Sequence, residues 1–135
     1  MESRLILDEA KYRLFIKENC NWQNTIKSQA GEIPGWKERL ASAAKSAGKI
    51  EGEAAEKRDG EFFCSELVFQ QSQMKKLEDD IELQQNRLSK DCEIKNQYDI
   101  DAFCTQDILR ERIKAIEKTY IELKCNFLNY LASIS

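Results

Sequence analysis

Phe63, Leu67, Gln70, Met74, Leu77, Ile81, Gln84 and Leu88 recur at alternating steps of four and three, and no strand can use such a spacing. The 3.5-residue period keeps one side chain in every half-heptad on a single helical face, and two of those positions are polar. The pattern returns in Leu109, Ile113, Ile116, Tyr120, Leu123, Phe127, Tyr130 and Ile134, where every position is apolar or aromatic. The spacing predicts one helix from about Asp59 or Gly60 to Lys95 and another from about Asp99 to the C-terminus. Asn96-Gln97-Tyr98 is the expected turn, with Asp99 or Asp101 as N-cap. Two heptad helices joined so closely predict a long antiparallel, coiled-coil-like hairpin over 61–135. In that register Asp80 faces Arg112, a favourable pair, while Glu78 faces Glu117, a conflict.

The N-terminal segment supports further helices. Leu5, Tyr12, Phe15, Ile16, Trp22 and Ile26 recur at three- and four-residue intervals, Ser3 suits an N-cap, and Glu9 and Arg13 form an i,i+4 pair. Gly31 suits a C-terminal cap and Pro34 the first turn of a following helix. A break is therefore expected near 31–35, followed by a short helix from Trp36 to Ala47 with Leu40, Ala43 and Ala44 on its apolar face. Residues 48–60 are charged and contain Gly48, Gly52 and Gly60, which reads as a connector or a solvated helical extension. The expected fold is an all-α bundle of three to four helices in a single domain spanning 1–135, ending in the hairpin.

Composition agrees with this reading and removes several function classes. Five glycines and one proline in 135 residues are too few turn formers for a β-sandwich, and the length suffices to bury a core. A net charge of −3 with no basic face argues against nucleic-acid binding. The longest aliphatic run, Leu5-Ile6-Leu7, is far short of the ~20 residues of a membrane span, and no secretory signal is recognisable. Five cysteines without a C-x-x-C pair fit reduced thiols in an intracellular, cytoplasmic or nuclear setting, with an intermolecular disulfide as the alternative. Histidine is absent, so neither a Ser-His-Asp nor a Cys-His site nor a Cys2His2 zinc site can form within the chain.

The remaining chemistry is sparse. Glu78-Asp79-Asp80 with Glu82 reads as a solvated helix face, because no glycine-rich turn or cation-loop spacing accompanies it. No enzymatic activity, cofactor or metal is expected. Arg110, Lys114 and Lys118 form a row that would suit phosphate, of a lipid headgroup or a nucleic acid, diluted by Glu111, Glu117 and Glu122; a peripheral lipid- or membrane-surface-binding protein is thus one alternative function, and a carboxylate-based enzyme a weaker one. Trp22, Trp36, Phe62, Phe63 and Phe69 are expected in the core, yet Phe62-Phe63 and Val68-Phe69 put bulky residues on more than one side of a single helix. A hairpin cannot bury both sides, so either the first helix or another chain must cover the surplus. Gln70 and Gln84 are expected at the edge of the packed face with their amides in water; alternatively, they select register or partner from within the seam. These readings point to a non-enzymatic protein–protein interaction module, an adaptor or scaffold subunit. Its partner is another helical protein or a second copy, and Phe62, Val68, Phe69, Gln70, Gln84, Tyr98 and Phe103 are the candidate contacts.

Overall fold

The computed structural model is an all-α helical bundle. It describes three helices, α1 (Glu2–Ala47), α2 (Ala54–Glu93) and α3 (Ile100–Ile134), with side chains described over 9–42, 61–91 and 100–133. Among the described residues there is no strand, and no helix is long and apolar enough to cross a membrane. Residues 48–53 of the expected connector and the expected turn at 96–98, Tyr98 included, lie outside the described residues, whereas 54–60 belong to α2, which begins at Ala54. Ala54, Ala55 and the Glu53–Lys57 spacing favour that earlier start.

The expected break at 31–35 is absent. α1 runs unbroken through Gly31, Pro34 and Gly35. Its interior side explains why: Tyr12, Asn19, Ile26, Ile33 and Leu40 are buried at successive seven-residue steps, with Trp36 beside them. Only a continuous helix keeps that stripe in phase across residues 31–35. Proline in a helix interior costs about 3 kcal/mol and each glycine about 1 kcal/mol relative to alanine, so the segment opposes the helix by roughly 5 kcal/mol. Burying Ile33, Trp36 and Leu40 returns about 1.5–3 kcal/mol apiece, which outweighs it. Gly31, Pro34 and Gly35 are all exposed, so the breakers sit where they displace no core atom.

The chain divides into two compact units, each taking one segment from every helix. The first comprises Met1–Lys27 and Lys75–Ala115. Its core includes Tyr12, Leu88 and Ala102, with Phe15, Ile16 and Phe103 packed against them. The Tyr12 and Phe15 rings meet Phe103 edge-on at 5.5 and 5.6 Å, and the Tyr12 hydroxyl donates to Asp91 at 3.0 Å. The expected pair between Asp80 and Arg112 is present at 2.7 Å.

The second unit comprises Ser28–Met74 and Ile116–Ser135. Trp36 is stacked between Tyr120 (5.4 Å) and Phe127 (5.5 Å), and Arg39 lies over the Phe127 ring. The Tyr120 hydroxyl donates to the Glu32 carboxylate, which also meets Lys124 Nζ at 3.6 Å. Burial, then the hydrogen bond to Glu32 and its charge, push the Tyr120 phenol up to about 12. Lys37 donates to Gln71, tying α1 to α2 within this unit.

Candidate functional site

On α2 of the second unit, Leu67, Gln70 and Met74 occupy the buried stripe. Phe62 and Phe69 are seven residues apart, each one residue before a stripe position, and that rotation carries them off the core side. They remain 61% and 65% exposed. This corrects the expectation that both rings belong to the core. α1 does pack on the other helices, as the burial of Ile33, Trp36 and Leu40 shows, but it does not cover these two rings. Phe63, on the stripe itself, is half-buried with its ring 5.2 Å from Tyr130.

The two exposed rings border grooves between α2 and α3. One, of about 390 Å³, is lined by Phe62, Ser65, Glu66, Phe69, Thr119 and Leu123, with Gln70 at its floor. The other, of about 440 Å³, adds Phe63, Asn126, Asn129 and Tyr130, and shares Phe62 with the first. Among these lining residues Glu66 alone carries a charge. Glu122 is exposed on α3 and lines neither groove. Val68 is also exposed but lines neither groove.

The other candidates fall elsewhere. Phe103 is half-buried against Tyr12 and Phe15. Gln70 and Gln84 are not at a wet edge: both are 3% exposed, and their amides are used inside the chain. Gln70 Nε2 donates to the Ile116 carbonyl at 3.2 Å in the second unit. Gln84 Nε2, in the first, donates to the Ala102 carbonyl at 2.9 Å and to Gln106 Oε1 at 3.2 Å.

Gln84 heads a chain of amides across all three helical segments of the first unit. Gln106 Nε2 donates to Asn19 Oδ1 (2.7 Å) and Glu18 Oε1 (2.9 Å), and Asn19 Nδ2 donates to Gln85 Oε1 (3.1 Å). Gln85 Nε2 ends it on the Ile16 carbonyl (2.9 Å) and the Cys20 sulfur (3.1 Å). Arg110 closes the outer side with two bonds to Glu18 (2.7 and 3.0 Å) and one to Asp107 (2.7 Å). The hydrogen bonds to Glu18 hold its guanidinium protonated further than usual. Among the described residues Gln84 Oε1 and Gln29 Oε1 are buried acceptors with no hydrogen-bond partner. Neutral amides supply neither nucleophile nor base, but a one-step slip of any helix would strand several buried donors at about 1–3 kcal/mol each.

Asn19, Gln106, Glu18 and Gln85 were not among the sequence candidates. Asn19 falls on the seven-residue stripe of α1, and Gln106 three residues before Leu109 on that of α3, so extending both stripes would have found them. The acidic group of α2 is partly engaged, with Asp79 on Lys75 (3.0 Å) and Asp80 on Arg112. In the basic row, Arg110 is taken up by Glu18 and Asp107, and Lys114 meets Glu111 at 3.3 Å. Among the described residues no group of three or more cysteine and carboxylate side chains is placed to hold a metal ion. In comparisons with protein families, curated proteins and solved structures, the chain matches none.

Proposed function

We propose that the chain is a non-enzymatic helical interaction module, an adaptor or scaffold subunit working in a reducing intracellular compartment. The observation that carries this reading is the pair Phe62 and Phe69, held exposed beside grooves that run between α2 and α3. Exposed rings beside a concave, largely apolar strip with a polar rim have the anatomy of a recognition surface. Covering what remains exposed of the two rings is worth on the order of 2–4 kcal/mol. Association costs about 4–15 kcal/mol, so two rings cannot hold a partner alone. A partner must follow the groove and cover the half-buried Phe63 and Tyr130 as well, which suits a helix better than a loop.

The same reading takes α2 and α3 as an antiparallel, coiled-coil-like hairpin. It is supported in the first unit by Gln84 meeting Ala102 while Asp80 meets Arg112, numbers falling along one helix as they rise along the other. Buried glutamines in such a seam restrict register, a device of interaction helices.

The test is affinity capture from cell extract with the intact chain, the Phe62→Ser/Phe69→Ser double variant and a Leu83→Ser control. Leu83 is likewise exposed but lines neither groove. At least one near-stoichiometric partner should be retained by the intact chain and the control and lost by the double variant, with circular dichroism unchanged. Identical captures by all three would remove the reading.

A further inference from the structure

The groove's electrostatics bear on which helix it accepts. Its lining offers apolar surface from Phe62, Phe69, Leu123 and Tyr130, neutral polar groups from Thr119, Asn126 and Asn129, and one charge, Glu66. The Glu66 side chain is exposed, so its carboxylate faces whatever lies over the groove. The one charge on the lining is therefore a carboxylate, and neither groove is lined by a basic side chain.

This arrangement disfavours a second copy of the chain. An isologous pair built on the two rings sets Phe62 of one copy near Phe69 of the other, with the two-fold axis midway between them. The midpoint falls between Ser65 and Glu66, so the two Glu66 carboxylates would meet within about one residue's rise (roughly 1.5 Å along the axis) of direct opposition. Like charges so placed weaken the contact the rings would make.

We infer that the α2–α3 groove of the second unit takes an amphipathic helix of another protein, with apolar residues at three- and four-residue steps over Phe62 and Phe69 and a lysine or arginine flank facing Glu66. Phe62 and Phe69 are about 10 Å apart along α2, two turns, so apolar residues seven apart on the incoming helix meet both rings. A basic flanking residue then meets Glu66 as e and g residues meet in paired helices, which sets choice of partner and orientation more than raw affinity. This inference rests on the interaction reading above and refines it.

The experiment uses two fluorescent synthetic peptides, each about 20 residues (roughly 30 Å of helix), with the same leucine stripe and either lysine or glutamate at every flanking position. Binding to the full chain is read by anisotropy at low and physiological salt, with the oligomeric state read by sedimentation. The lysine peptide should bind at least tenfold more tightly, with the margin shrinking as salt rises. Phe69→Ser should weaken it at least tenfold, Glu66→Gln should narrow the preference, and Glu66→Lys should abolish it. Equal binding of both peptides, or a preference untouched by Glu66→Lys, overturns the basic occupant and leaves an apolar docking groove standing. A dimer of the chain that Phe62→Ser/Phe69→Ser dissolves overturns it in favour of self-association. Binding of neither peptide, with no self-association, removes the docking groove itself.

Discussion

Replacing Pro34 with alanine should stabilise the protein, and by an amount large for one exposed residue. Pro34 lies inside α1, where it lacks the N–H that would bond the Ala30 carbonyl and its ring crowds that same carbonyl. Its side is exposed, so alanine forfeits no core contact. The gain is about 2–3 kcal/mol, the helix-interior penalty of proline less the ordering that its ring imposes on the unfolded chain. Gly31→Ala and Gly35→Ala should each add about 0.5–1 kcal/mol, since a Cβ at either position meets nothing within 4 Å. Urea unfolding followed by far-ultraviolet circular dichroism reads the effect. With a slope of about 1–3 kcal/mol per molar urea, Pro34→Ala alone moves the midpoint up by ~0.7–3 M. The opposite architecture makes the opposite prediction. Were Gly31 a left-handed C-cap and Pro34 the first residue of a new helix, Gly31→Ala would destabilise by about 1 kcal/mol and Pro34→Ala would gain nothing. An unchanged or lowered midpoint for both variants would refute the continuous helix.

The amide chain of the first unit should behave as one element: Gln106→Leu should cost about 2–6 kcal/mol, because it strands Asn19 Oδ1 and one Gln84 donor hydrogen. Asn19→Leu/Gln84→Leu/Gln106→Leu together should cost well under the sum of the single changes, and additive losses in urea titrations would count against a connected chain. Tyr120 should stay protonated while ordinary phenols ionise, shifting its part of the ultraviolet titration from 10.0 to about 12. The folded state then binds more protons than the unfolded one between those values, so this contribution is complete below about pH 10 and fades as pH rises through 12. A titration curve unchanged by Tyr120→Phe above pH 11 would rule that out. The pair between Asp80 and Arg112, with each side chain about one-third exposed, should show a coupling of only ~0.2–1 kcal/mol in a double-mutant cycle, smaller still in high salt.

The seven-residue stripes made much of the fold legible. Leu67 to Leu88 and Leu109 to Phe127 are buried at nearly every expected position, and the Asp80–Arg112 pair follows from their register. The unbroken α1 was hidden by its local chemistry. Gly31, Pro34 and Gly35 are strong punctuation, and single-residue propensity outweighs a stripe unless Ile26, Ile33 and Leu40 are read as one heptad series. Gln70 and Gln84 misled for a related reason. A glutamine on an apolar stripe suggests water nearby, and only the partner amide of Gln106 and the Ile116 and Ala102 carbonyls make burial tolerable. Phe62, Val68 and Phe69 could be recognised as surplus, whereas the groove beside them depends on α3 spacing that the α2 sequence does not contain.

The stacking of Trp36 between Tyr120 and Phe127 gives the second unit an optical signature of its own. Rings packed nearly parallel at 5.4 and 5.5 Å couple their transitions, so near-ultraviolet dichroism should report directly on this cluster. Leu123, which lines the groove, lies three residues after Tyr120 and four before Phe127 on the same helix. A helix seated in the groove would touch Leu123, on the stretch of α3 between two of the three chromophores. Its arrival can therefore be watched in the unlabelled protein, as a change of ellipticity at wavelengths where a peptide without aromatics is silent.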